Sequence, residues 1–414
     1  MRKLIGLLLV LATIAVGCGS SHRSSPLTIG AVYPTTGSQG QGGREEQRGV
    51  RLAVQWANDH GGVHSRRVRL DTVDVGQAEE VPGALAQLRG RGISLVLGTH
   101  GSTLSAVAAG VATREHLLFW ETGAVGAVGP GAGAGRSFFR LAPMGAGLGR
   151  AAVAFVRDQV GPKLPRRPLR YAIAYVDDAY GRAVSGGAGA ELRRGGQVMA
   201  GAFPYDPHAA DFPALVTRIA AVRPDVLVVV AYIEDGVALR KATIAAHLPL
   251  LASIGTSSSY CMPAFGDRLG PGAVGLFASD KPDAADVRTD TLRPQARAAL
   301  AWAAGRYRAL YRDDMSAPAL SGFANTYALL VDVLPAAHAL TPAAVARAAL
   351  LVKLPTGSLA NGSGLDLGPP GAVDAGENRR AVSVIWEWVA PRTRAVVWPP
   401  AYATRPLSVL PIEQ

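Results

Sequence analysis

Cysteine is nearly absent: Cys18 and Cys261 are the only two in 414 residues. That is too few for a disulfide-stapled scaffold or for a Cys/His cluster at metal-ligand spacing, so the fold must be held by its core. Also missing are a Gly-x-Ser-x-Gly elbow, a His-Glu-x-x-His pair and a Walker-type Gly-Lys-Ser/Thr. These are the signatures of hydrolase, zinc-protease and P-loop chemistry. The eight histidines are scattered. His100 stands close to Ser102, but no base with an orienting acid is recognisable around them, so no catalytic residue, metal site or cofactor is expected. Lysine is scarce as well, with 5 residues against 37 arginines, and no basic run reaches five. The formal charge of +11 is therefore a compositional bias rather than a nucleic-acid-binding stripe.

The apolar run from Leu4 to Val16 is too short to span a membrane,. It follows Met1-Arg2-Lys3 and ends in Ala15-Val16-Gly17-Cys18, the layout of an export signal with a small-residue cleavage site. Ala-Val-Gly-Cys resembles a lipobox, with Ala15 where Leu is usual. The expectation is a signal peptide over residues 1–17, a lipid on Cys18 and a polar tether over 18–26. A lipidated Cys18 leaves Cys261 without a disulfide partner. Removing residues 1–17 from the 414 leaves 397, and at 49% hydrophobic composition that is enough chain for two packed domains,.

Strand and helix patterns alternate from Leu27 onward. Leu27–Tyr33 reads as a strand, Glu45–Asn58 as a helix closed by Gly61-Gly62, Val68–Val75 as a strand with a wetter face, and Val81–Arg89 as a helix. Then follow a buried strand Ile93–Leu97, a helix Ser102–Arg114 and a strand Leu117–Trp120. A second series begins after Pro143-Met144-Gly145. Its helices are Leu148–Gln159, Gly181–Arg194, Asp211–Val222 and Asp235–His247, and its strands are Tyr171–Val176, Val198–Phe203, Val226–Ala231 and Leu250–Ile254. Two such series predict two doubly wound parallel-sheet lobes.

The remainder reads as a strand Ala273–Ala278, helices Leu292–Arg312 and Ala317–His338, a helix opened by Thr341-Pro342, and strands Val382–Val389 and Ala395–Val397 that carry Trp386 and Trp388. These elements need a sheet to pack on, so the chain is expected to cross between lobes more than once and build a multi-strand hinge. The boundaries expected are lobe 1 over 27–143 with 277–353, lobe 2 over 144–276 with 380–414, and a hinge or crossover loop over 354–379. Gly123–Gly135 is low in complexity, lacks the glycine spacing of a dinucleotide loop and reads as a flexible surface loop.

The ordered set Ile29-Gly30-Ala31-Val32-Tyr33-Pro34-Thr35-Thr36-Gly37, Leu52-Ala53-Val54, Gly61-Gly62-Val63, Leu97-Gly98 with Ser102, Phe139-Arg140-Leu141-Ala142-Pro143 and Asp177-Asp178-Ala179-Tyr180-Gly181 resembles the leucine/isoleucine/valine-binding protein family. The resemblance covers roughly residues 27 to 390. It implies a periplasmic binding protein-like I fold and capture of a small ligand, such as an amino acid or amide, for an ABC transporter permease.

The resemblance further implies ligand contacts at Ser102, at the small residues Gly123 and Ala124, at Tyr180 and at Tyr232. Ser102 would open a helix whose first N–H groups face an anionic ligand group, and tyrosine offers a flat face with a hydrogen-bonding tip. Val125 stands where the family usually has Thr. The acid that holds an amino acid's ammonium in the family falls here on Gly255 or Thr256, neither of which is charged. Glu121, or Glu234 or Asp235 beside Tyr232, would have to replace it; otherwise the ligand has no ammonium. Trp120 is either a stacking surface or core. Delivery to a permease is the expected role, with a tethered sensor of the same fold as the alternative and a secreted hydrolase behind both. The expected state is a monomer anchored to the outer face of the cell membrane, with no nucleic-acid partner.

Overall fold

The computed structural model describes residues 25–129, 131–165 and 168–414. Cys18 and the expected signal segment lie outside these residues. The first series builds β1 (Leu27–Tyr33), α1 (Gly40–Asp59), β2 (Val68–Asp74), α2 (Val81–Gly90), β3 (Leu95–Gly98), α3 (Ser102–Arg114), β4 (Leu118–Glu121) and β5 (Phe138–Arg140). Its strands form a five-stranded sheet in the order β2-β1-β3-β4-β5, with every pairing parallel. β3 and β4 are buried along their whole length, as strands covered by helices on both faces must be.

The second series runs α4 (Gly145–Phe155), β6 (Arg170–Val176), α5 (Ala179–Arg194), β7 (Val198–Tyr205), α6 (Phe212–Ala221), β8 (Val226–Val230), α7 (Ile233–Ala245), β9 (Ala252–Thr256), α8 (Pro263–Leu269) and β10 (Phe277–Asp280). Three helices, α9 (Pro294–Tyr311), α10 (Ala317–Tyr327) and α11 (Leu334–Ala336), and then α12 (Pro342–Leu351), return to the first core. β11 (Val384–Ala390) and β12 (Thr393–Trp398) return to the second. The second sheet has the order β12-β11-β10-β9-β8-β6-β7, in which only β10–β11 and β11–β12 pair antiparallel. The chain thus passes between the two cores three times, after β5, after β10 and after α12, which gives a hinge of several strands.

Several expected boundaries shift for local reasons. The strand expected at 273–278 starts at Phe277, because Gly270–Ala273 is a tight helical turn and Gly275 has φ of 80°. This β10 is bonded in the second sheet, so residues 277–280 pack with lobe 2 and not with lobe 1. The helix expected over 292–312 starts at Pro294, whose missing N–H suits a first turn, and ends before Arg312 in a left-handed conformation,. The continuous helical stretch Ala317–Ala336, which joins α10 to α11, is the one among the described residues long and apolar enough to cross a membrane, but 89% of its apolar 18-residue window is buried, and it belongs to the core of the first lobe. Residues 354–379 do more than connect: Arg140 on edge strand β5 donates to Gly376 O at 2.8 Å and accepts from Asn378 N at 3.0 Å, which covers an otherwise open sheet edge.

Candidate ligand-binding site

Open parallel sheets present their ligands with the loops at the carboxyl ends of their strands. In the first sheet those loops follow β3 and β4, and two buried carboxylates fix them from below. Glu121, the last residue of β4, accepts the N–H groups of Gly123 and Ala124 through Oε1, each at 2.8 Å. Its Oε2 accepts Thr99 N at 3.0 Å and the Ser105 hydroxyl. Burial pushes its carboxyl up to about 7, with the Glu46 charge adding to this and Arg140 opposing it. Glu46, from α1, lies 2.8 Å from Nδ1 of His100 through Oε2 and accepts the Thr122 hydroxyl at 2.6 Å through Oε1. The Thr122 hydroxyl oxygen in turn lies 2.6 Å from the Tyr33 hydroxyl. Gly123 rests directly on this framework, since a Cβ there would overlap the Glu46 carboxylate.

In the second sheet the loops follow β6, β8 and β9. Asp178 caps α5 by accepting Gly181 N at 2.8 Å and takes the Tyr232 hydroxyl at 2.6 Å on its other oxygen. Burial raises the Asp178 carboxyl, and these two bonds work against the rise. The Tyr180 hydroxyl reaches the loop after β9, at Thr256 O and Oγ1 and Ser257 O. The two tyrosine rings are tilted against each other with centroids 5.4 Å apart. Burial, first of all, holds both phenols well above their ordinary range, so they act as neutral hydrogen-bonding groups at any ordinary pH.

The two sets of loops face each other. His100, Ser102, Gly123 and Val125 from the first lobe and Tyr180, Tyr232, Ser257 and Ser258 from the second line one cleft. The lobes nearly touch: a Cβ on Gly126 of the first lobe would press on Ala179 O of the second, and within the first lobe Gly126 donates to Ser102 Oγ at 2.9 Å. From the hinge after β10, Lys281 Nζ donates to Gly123 O at 2.9 Å. The space left is about 10 Å³, room for about one water, so any organic ligand requires the lobes to part first.

Of the residues singled out in the sequence, Ser102, Gly123, Tyr180 and Tyr232 come together here. Ala124 is next to them, with its N–H turned down to Glu121. Glu121 lies beneath the loop with both oxygens occupied and does not line the cleft. Glu234 is paired with Arg268 at 2.7 Å and Asp235 holds the Tyr205 hydroxyl. Trp120 is fully buried and donates to Asn325 O at 2.9 Å, which makes it core. Gly255 packs on the Tyr260 ring and the Thr256 hydroxyl serves Tyr180. The start of the low-complexity stretch, residues 123–128, is largely buried at the cleft rather than a surface loop, because its small residues let the backbone approach. Sequence reasoning missed Ser257 and Ser258 and weighed His100 only for catalysis. Each follows the carboxyl end of a strand, the same signal that singled out Ser102.

Residues 26–373 match the family described as periplasmic binding protein. The chain is similar to Leu/Ile/Val-binding protein homolog 8 of Brucella suis biovar 1, 26% identical over 392 residues that span 92% of this chain and 93% of the relative. Among solved structures it is similar to the leucine-binding protein LivK of Thermotoga maritima, with a TM-score of 0.75 and 16% identity over 89% of this chain and 97% of that one. It is also similar to an ABC transporter solute-binding protein of R. palustris in complex with benzoate, with a TM-score of 0.73 and 15% identity over 94% and 99%.

Proposed function

The chain belongs to the periplasmic binding protein family and has the two-lobed α/β fold of its type I members, and from that premise we propose that it is a solute receptor that delivers its ligand to an ABC transporter permease. It captures a small polar organic molecule, of the size of an amino acid or an amide, between lobes that open and close about the three-strand hinge. The observation that carries this reading is the convergence of Ser102, His100 and Gly123 with Tyr180 and Tyr232 on one cleft. Aromatic faces and hydroxyl donors from opposite lobes can enclose a ligand that neither lobe holds alone. For this purpose residues 27–143 with the helices through 353 act as one lobe, and residues 144–280 with 380–414 as the other. Cys18 is the proposed lipid attachment point, which keeps the receptor, as a monomer, on the outer face of the cell membrane next to its permease.

A thermal-shift screen of the purified protein against amino acids, amides, short-chain and aromatic acids and polyols tests capture. A ligand that binds only the folded state raises the melting temperature by mass action. A shift with one chemical class that Tyr180→Ala removes is the expected result. A flat response across the panel contradicts solute capture.

A further inference from the structure

The groups around the cleft are uneven in charge. Its lining side chains are hydroxyls, phenols, the His100 imidazole and the apolar Val125, with no carboxylate among them. Helices α3, α5 and α7 all begin at or beside cleft residues, Ser102, Ala179 and Ile233, with Asp178 capping α5 and Glu234 and Asp235 in the first turn of α7, so three helix N-termini border the cleft and that of α3 carries no acid in its first turn. Lys281 is 3% exposed and uses one of its three N–H donors, on the cleft residue Gly123,.

The nearby carboxylates are already engaged. Glu46 serves His100 and Thr122, Glu121 serves four donors, and Asp178 serves Gly181 and Tyr232. Asp280 and Asp235 each have an Oδ1 buried without a hydrogen-bond partner. Asp235 is tied to the Tyr205 hydroxyl through its other oxygen and does not line the cleft, and Asp280 Oδ1 lies 3.8 Å from Lys281 Nζ, so an ammonium brought to Asp280 would also meet the Lys281 cation. A buried ammonium without a counter-charge is strongly disfavoured, whereas a carboxylate entering the parted cleft would find hydroxyls, helix N-termini and a buried cation with donors to spare.

We propose that the ligand of this cleft is an organic carboxylate that carries no ammonium group, and that Lys281 sets this preference from the floor of the cleft. The inference rests on the solute-capture reading and narrows it.

The test is calorimetric titration of the purified full-length protein with matched pairs: 4-methylpentanoate against leucine and its amide, and 3-phenylpropanoate and benzoate against phenylalanine. The expected result is a carboxylate that binds at least ten-fold tighter than its amino acid and its amide. Lys281→Met weakens that carboxylate at least ten-fold while the affinity for its neutral amide changes less than three-fold, and Lys281→Arg restores part of the loss. Ser257→Glu, which places an acid in the cleft, moves the preference toward the amino acid and reads out independently of Lys281. If an amino acid binds tighter than its acid, and Asp280→Asn abolishes that binding, the anion preference is overturned while capture stands. Binding of neutral amides or polyols alone has the same meaning. If no compound of any class binds, capture and preference fall together.

Discussion

Nδ1 of His100 lies 2.8 Å from Oε2 of Glu46, so the loop after β3 is held by a carboxylate on the first helix, 54 residues earlier in the chain. The same carboxylate takes the Thr122 hydroxyl from the loop after β4. One buried side chain therefore aligns both first-lobe loops of the cleft. Glu46→Ala leaves the imidazole and the hydroxyl without their partner and is expected to cost about 2–4 kcal/mol of stability, the sum of two buried unsatisfied groups. Urea denaturation measures it, and a loss below 0.5 kcal/mol would show that the link is incidental.

Glu121 makes stability depend on pH in an unusual direction for a carboxylate. Its folded-state value of about 7 lies above the ordinary 4.5, so between these limits the folded protein holds a proton that the unfolded chain has released. Stability is fully present below about 4.5, falls as pH rises and levels off above about 7. Asp235 and Asp332, each pushed up to about 6 chiefly by burial, act in the same direction. Denaturation midpoints from pH 5 to 7.5 are expected to decline, and Glu121→Gln is expected to flatten the decline. A midpoint that climbs across this range contradicts the assignment.

Two aromatic substitutions separate site from core. Tyr180→Phe removes the hydroxyl that holds the loop after β9 at Thr256 and Ser257 and is expected to weaken ligand affinity about ten-fold. Trp120→Phe loses the bond to Asn325 O and leaves a void, which costs about 2 kcal/mol of stability while affinity stays within two-fold. Titration calorimetry and thermal melts on both variants check the pair, and the reverse pattern would exchange their roles.

Gly123 has no room for a side chain, because a Cβ there would strike the Glu46 carboxylate. Gly123→Ala is expected to displace the loop that meets Lys281 and to reduce affinity at least ten-fold, as read by titration. Wild-type affinity in this variant would mean that the loop does not touch ligand.

Much of this was legible in the sequence because it depends on periodicity and on strand ends. The alternation of strand and helix gave both sheets, and Ser102, Tyr180 and Tyr232 stand just beyond strands whose apolar runs were plain. What was hidden depends on contacts across long sequence separations. Nothing near Glu121 in the sequence reveals that Thr99, Ser105, Gly123 and Ala124 use up its oxygens, so the sequence alone leaves it open as a replacement anion for the ligand. Lys281 was obscured because Gly275 and the turn before it move β10 four residues later than its apolar pattern indicates, which places the lysine at the strand end and thus at the cleft. Local propensity cannot register such a shift when the deciding partners lie in another lobe.

The central claim is closure of two lobes around a solute, and the distance across the cleft mouth tests it most directly. Glu79, after β2, and His208, after β7, are exposed on opposite lobes beyond the carboxyl ends of the two outer strands. Spin labels at Glu79→Cys and His208→Cys, measured by pulsed electron resonance with and without the ligand found by titration, are expected to give a broad, longer distance for the free protein. Saturation with ligand should convert it to one shorter, narrow distance. An identical distribution in the two states, with binding confirmed on the same sample, would contradict capture by lobe closure.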